Sequence, residues 1–189
     1  MTDLEFLAAI KDDVISDMKE TKILASLTAS QAFLESNKGN SKLSQSPNNN
    51  LFGMKGSYNG QYVIMPTKEY KNGQYITIEA KFRKYPSWRE SIKDHSDLFL
   101  KMTRYKNLIG ETDYIRACFN VQEDGYATSP TYAKALSQSL KNTNYMNGIK
   151  QILNRSILIL HLPLMFLHTE LLTENSDRGM KCGKILYMN

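Results

Sequence analysis

The 189-residue sequence is short of cysteine, histidine, tryptophan and proline, and each shortage removes a class of protein. Two cysteines, Cys118 and Cys182, cannot build a disulfide framework or a thiolate zinc site, so stability has to come from an apolar core, and they leave the redox compartment unread. Three histidines, His95, His161 and His168, have neither the Cys/Asp spacing of a metal centre nor an ordered nucleophile, base and orienting acid. Metal-dependent and triad hydrolysis are therefore not expected, and no cofactor is expected. Five prolines and ten glycines exclude collagen-like and low-complexity chains. Gly53, Gly56 and Gly60 follow no buried strand and make no phosphate loop. The most apolar run, Ile157 to Leu172, is interrupted by His161, Pro163, His168 and Glu170 and falls short of the roughly 20 residues of a spanning helix. Neither a membrane anchor nor, with the acidic start Thr2-Asp3-Leu4-Glu5, a secretory leader is expected.

What remains is a folded, soluble domain with 41% hydrophobic residues and a net charge of +5. The charge is uneven. Residues 1–20 carry six acids and two bases, residues 21–150 carry eighteen bases and ten acids, and residues 151–189 carry four bases and three acids. A basic body suits a polyanion, whether nucleic acid, an anionic membrane or a bacterial cell wall, and a basic surface is also compatible with no partner at all.

Thr2 and Glu5 form a capping box, and Leu7, Ile10, Val14 and Met18 recur at helical spacing, which predicts an amphipathic helix over 3–19 with its acids on the exposed face. A second helix is expected over 21–36, with Leu24, Leu27 and Leu34 on one side and Gly39 as its stop. Residues 37–60 read as a Ser/Asn/Gly/Lys loop interrupted only by Leu51 to Met54. Ile76, Ile78, Ala80 and Phe82 then alternate with polar residues, and Asn72-Gly73 is placed as the turn of a β-hairpin over 62–85. Ser87 and Glu90 cap a further helix carrying Trp88, Ile92, Phe99 and Met102. Others are expected over 112–123 and 130–141, the latter with Ser129 as N-cap and Pro130 in its first position. The fold class is α+β, mostly helical.

Glu35 is the sharpest chemical candidate. It lies four residues after Gln31 and eight after Leu27, on the face of an apolar helix and just before a polar loop. Partial burial and the negative end of the helix dipole both raise a carboxylate's pKa toward that of a general acid. A glutamate at a helix end is also an ordinary surface residue, so a second carboxylate has to be found. Glu69 and Glu79 on the hairpin are the candidates, because glycoside hydrolysis needs an acid at the leaving oxygen and a second group across the cleft. Tyr58, Tyr62, Tyr70, Tyr75 and Tyr85, interleaved with lysines and arginines, would stack on sugars or bases, or serve simply as strand formers.

Leu24 to Ser36, followed by Asn49-Asn50-Leu51-Phe52-Gly53-Met54-Lys55-Gly56, resembles the glucosaminidase domain of bacterial cell-wall hydrolases, glycoside hydrolase family 73. Thr67-Lys68-Glu69-Tyr70, Lys81-Phe82-Arg83-Lys84-Tyr85 and Tyr126-Ala127-Thr128-Ser129-Pro130-Thr131-Tyr132-Ala133 carry the same resemblance, over about residues 5–150. It implies a lysozyme-like helical bundle with a small β-hairpin lobe flanking the active-site cleft. It implies Glu35 as general acid, Glu69 rather than Glu79 as second carboxylate, Tyr126 as a further catalytic residue, and Tyr132, the second tyrosine of the same motif, as substrate-binding. Asn50 and Phe52 match the loop that shapes the cleft floor and are taken as substrate-binding. The chain departs from the family at Asn37-Lys38-Gly39, where a tryptophan is common, and at Ser129, where an aspartate is usual.

The activity so implied is endo-β-N-acetylglucosaminidase hydrolysis of peptidoglycan glycan strands. The alternatives are an N-acetylmuramidase on the same fold and a catalytically silent wall-binding or phage structural module; nucleic-acid binding rests on charge alone. The expected partners are glycan strands and anionic wall polymers, with no nucleic acid, no membrane and a monomeric chain. Action at the bacterial cell wall is implied, reached by phage-type release or as part of a larger autolysin. Residues 1–150 are taken as the catalytic domain. Residues 151–189 resemble nothing in the family and are taken as a tail, either a frame-shifted end or the remnant of a linker to a wall-binding module.

Overall fold

The computed structural model describes residues 1–71 and 74–139; the Asn72-Gly73 turn and the tail expected from 151 lie outside the described residues. Helix α1 (Asp3–Thr21) has the capping box, with the Thr2 hydroxyl accepting from the Glu5 amide and the Glu5 carboxylate from the Thr2 amide. It stops at Lys22, whose left-handed backbone (φ 63°) accompanies a bond from its amide to the Met18 carbonyl. One of its acids is not on the exposed face: Asp17 is buried against α3 (Trp88–Lys101).

Helix α2 (Ala25–Glu35) starts four residues later than expected, because the left-handed residue at 22 separates it from α1. Every residue from Ala25 to Phe33 is buried. An all-round buried helix is a core element, and α1, α4 (Tyr114–Glu123) and α5 (Tyr132–Ser139) pack around this one. Of its inward polar residues, Ser30 is bonded twice: its hydroxyl donates to the Ser26 carbonyl at 2.6 Å and meets the Tyr114 hydroxyl at 2.7 Å.

After Glu35 the chain reverses through three left-handed residues, Asn37, Lys38 and Gly39. Glycine is required at 39: a Cβ there would sit 2.9 Å from the Phe6 ring and 3.1 Å from Trp88. Phe6 and Trp88 themselves meet edge to face at 5.5 Å, and the Trp88 indole donates to the Ser44 carbonyl. The loop after α2 is thus clamped to both α1 and α3.

Strands β1 (Tyr62–Lys71) and β2 (Gln74–Arg83) form one antiparallel hairpin, pairing Tyr62 with Arg83 and Glu69 with Ile76. The alternation behaves as expected along most of its length. Ile64, Pro66, Lys68, Thr77, Glu79 and Lys81 are exposed, while Val63, Met65, Thr67, Ile76, Ile78 and Ala80 are half-buried and Phe82 is buried. The base of the hairpin is tied down by Arg83 and the Tyr85 hydroxyl, both bonded to Asp94 of α3. A 3-10 helix at Thr103–Leu108 follows α3 and inserts Tyr105 and Leu108 into the core. Helix α5 starts at Tyr132 rather than at Pro130, since Ser129 and Pro130 are used in a turn closed by the Tyr132 amide on the Ser129 carbonyl.

Candidate active site

Glu35 ends α2, at the point where the helix leaves the core, and is half-buried. Its Oε1 accepts a hydrogen bond of 3.0 Å from the Tyr132 hydroxyl. Its Oε2 is shielded from solvent and has no hydrogen-bond partner among the described residues. Burial pushes the carboxyl up to about 8, and the Tyr132 hydroxyl opposes that rise by favouring the charged form. An acid so placed is protonated at neutral pH.

Tyr132 is held in turn. It is fully buried at the first turn of α5, and its oxygen accepts from Gln31 Nε2 at 3.1 Å. With the phenol oxygen receiving the amide N–H, its own proton goes to Glu35. Gln31 and Glu35 stand one helical turn apart, so α2 presents both partners of Tyr132 on a single face. Of the expected tyrosines, Tyr132 is thus bonded to the acid.

Tyr126 lies one layer behind, 5% exposed, its ring stacked on Tyr132 at 5.8 Å and its hydroxyl 3.2 Å from His95 Nε2. His95 is wholly buried, stacked on Phe52 at 3.8 Å, and burial pushes its pKa down to about 3, which keeps it neutral. Asn50 and Phe52, expected to bind substrate, have 1% and 0% of their surface exposed. A side chain without accessible surface touches no ligand in this conformation, so both act from inside the loop. Asn50 takes the Met54 amide on Oδ1 and donates to the Met54 and Arg83 carbonyls, which joins the loop to β2.

The two hairpin acids occupy different rows. Glu79 is exposed, opposite Pro66. Position 69 is opposite Ile76 and in the row of Met65, Thr67, Ile78 and Phe82, the row with the lower exposure. Among the described residues no group of three or more His, Cys, Asp and Glu side chains could hold a metal ion, and no described helix is long and apolar enough to cross a membrane.

A helical body with a carboxylic acid at a helix end, together with a two-stranded lobe, is an arrangement suited to general-acid hydrolysis. Comparison with known proteins narrows it. The glucosaminidase family model, described as mannosyl-glycoprotein endo-beta-N-acetylglucosaminidase, matches residues 11–145, and the chain belongs to that family. It is 45% identical over 120 residues to the exo-glucosaminidase LytG of Bacillus subtilis, covering 61% of this chain and 42% of that protein. It is 37% identical over 126 residues to a probable N-acetylmuramidase of Lactococcus lactis, covering 63% of this chain and 29% of that protein. The crystal structure of the catalytic domain of the autolysin Auto from Listeria monocytogenes superposes with a TM-score of 0.69 at 36% identity, covering 73% of this chain and 82% of that one. The chain thus spans less than half the length of either of these two full-length relatives.

Proposed function

We propose that this chain is an endo-β-N-acetylglucosaminidase that hydrolyses the glycan strands of peptidoglycan at the bacterial cell wall. The observation that carries the proposal is Glu35, a half-buried carboxylic acid at the end of α2 that burial pushes up to about 8, bonded by the Tyr132 hydroxyl in a glucosaminidase-family domain. Glu35 protonates the glycosidic oxygen as the sugar goes through an oxocarbenium-like transition state. The Tyr132 hydroxyl occupies Oε1, so the acidic proton sits on Oε2. The terminal torsion of a carboxyl is soft, and a rotation about it exchanges the two oxygens.

Glu69 is the second carboxylate in this reading, supported by its register on the less exposed row of the hairpin. It either activates water, which inverts the anomeric centre, or supports attack by the substrate's own 2-acetamido group, which retains it. Tyr132 orients the acid and Tyr126 buttresses Tyr132. The catalytic unit in this reading spans about residues 1–150, which the family match over 11–145 supports. The basic charge of residues 21–150 serves to hold the enzyme on anionic wall polymers.

The test is digestion of purified peptidoglycan followed by mass spectrometry of borohydride-reduced products. Reduced N-acetylglucosamine termini are expected, released from within the strand. Reduced muramic acid termini would instead establish the muramidase reading, to which the Lactococcus relative's name points. Wall binding with no new reducing ends would overturn both.

A further inference from the structure

A cavity lies at the base of the hairpin, outside the Gln31–Tyr132–Glu35 chain. It measures about 340 Å³ and is bordered by the loop around Asn49, the turn from Tyr58 to Gln61, and Lys84 to Pro86. Its walls are fixed by backbone bonds. Tyr58 and Gln61 exchange reciprocal amide-to-carbonyl bonds of 2.9 and 2.8 Å, and the Lys84 amide donates to the Gln61 carbonyl. Asn49 Nδ2 donates to the Tyr85 and Pro86 carbonyls at 3.0 and 3.1 Å, which leaves its side-chain oxygen as an acceptor. A pocket with pre-set walls loses little entropy when it is filled.

The lining has three kinds of recognition group. Tyr58 is half-buried, its ring backed by Tyr85 at a centroid distance of 4.8 Å. Asn59 and Gln61 are exposed amides on the turn. Lys84 is half-buried with no ion pair to any described acid, and no carboxylate lines the cavity. An aromatic ring takes the C–H face of a pyranose, amides take hydroxyl and acetamido groups, and an unpaired ammonium takes a carboxylate. The volume is at the small end of the roughly 300–1,000 Å³ usual for small-molecule sites, which suits one saccharide unit rather than a strand.

We propose that this cavity is a binding subsite for an acidic N-acetylated amino sugar, with Lys84 holding the sugar's carboxylate and Tyr58 its ring. The ligand class rests on the peptidoglycan reading above, in which the lactyl ether of muramic acid carries a free carboxylate wherever a strand has lost its stem peptide, so the subsite selects peptide-free stretches. The subsite then anchors the strand away from the bond that Glu35 cleaves, and it reads which sugar lies at that distance.

The test uses the full chain carrying Glu35→Gln, so that binding is measured without turnover. It is titrated with N-acetylmuramic acid and with N-acetylglucosamine and followed by backbone amide NMR shifts. N-acetylmuramic acid is expected to move the amides of residues 58–61 and 84, and to bind about tenfold more tightly than the neutral sugar, the scale of one charge-assisted contact. Lys84→Gln should bring the two sugars to equal affinity and Lys84→Arg should restore the difference, with unchanged melting temperatures showing that both variants fold. Shifts absent from residues 58–61 and 84, equal affinities in the parent, or indifference to Lys84→Gln would each overturn the proposal. Because no cleavage is measured, a failure of the hydrolase reading shows in the product analysis and not here.

Discussion

Two carboxylic acids sit between helices, Asp17 buried where α1 meets α3 and Glu35 half-buried where α2 meets α5, and the helical body treats them differently. Asp17 accepts from the Ser96 hydroxyl at 2.5 Å and from the Thr21 hydroxyl at 3.4 Å, and the charge of Lys93 also favours its ionised form. Burial outweighs these and pushes it up only to about 6. Glu35 has one hydroxyl on Oε1, no partner among the described residues on Oε2 and no offsetting positive charge from them, and it goes up to about 8. Burial is the largest influence on both acids, and donors and charge offset more of it at Asp17 than at Glu35. Asp17 is a joint between helices, and Glu35 is an acid held back from ionising.

The largest effect that separates the two seams is on catalysis. Glu35→Gln should lower wall hydrolysis by about 10²- to 10⁴-fold, the usual worth of a general acid, while Asp17→Asn leaves the rate unchanged in turbidity assays on purified walls. In the parent enzyme the rate should hold steady with rising pH up to about 8 and then fall about tenfold per unit as Glu35 loses its proton. An alkaline limb near 4 to 5 would contradict the buried-acid account.

Tyr132→Phe should come next, with a loss of about tenfold. The sign of the accompanying shift is fixed by the bond: the phenol favours the carboxylate, so removing it raises the Glu35 pKa further and moves the alkaline limb upward. Carboxyl ¹³C titration reads this directly. Gln31→Leu acts only through Tyr132, and a few-fold loss of rate is expected, of the order of one neutral hydrogen bond. Its signature is a displaced pH profile rather than a changed affinity for walls.

The smallest effects concern stability. Both acids bind protons more tightly when folded, so each contributes stability that is complete below its unfolded value and is lost as pH rises through its folded value. For Asp17 that window runs from 3.8 to about 6, and for Glu35 from 4.5 to about 8. Asp17→Asn should flatten the lower part of the melting-temperature profile and Glu35→Gln the upper part, each by roughly 1–2 kcal/mol after allowance for solvent access. Identical profiles for the two variants would erase the distinction between the seams.

Much of this architecture was legible in advance where the signal is local. The capping box at Thr2 and Glu5, the alternation through Ile76 to Phe82, and Glu35 at the last turn of an apolar helix are all carried by residues within one or two turns of each other. The start of α2 was missed because Lys22, an ordinary helix former, takes a left-handed conformation that no spacing rule announces. Asp17 was placed on the exposed face because its partner Ser96 is 79 residues away. Phe52 and Asn50 lay in a polar loop, yet the loop folds inward onto His95 and Arg83. Gln31 was visible only as a spacing from Glu35, and its part in the site depends on Tyr132, 101 residues on.

By itself the sequence determined the helical body, the hairpin, the family and the acid at the end of α2, because periodicity, capping and motif are properties of neighbouring residues. Which tyrosine touches that acid, which oxygen is left to carry the proton, which acid is a structural joint, and where a lysine is left unpaired beside a cavity were decided only by the tertiary structure. Burial and hydrogen bonding are set by groups distant in the chain, and a carboxyl's proton affinity follows from the whole of its surroundings.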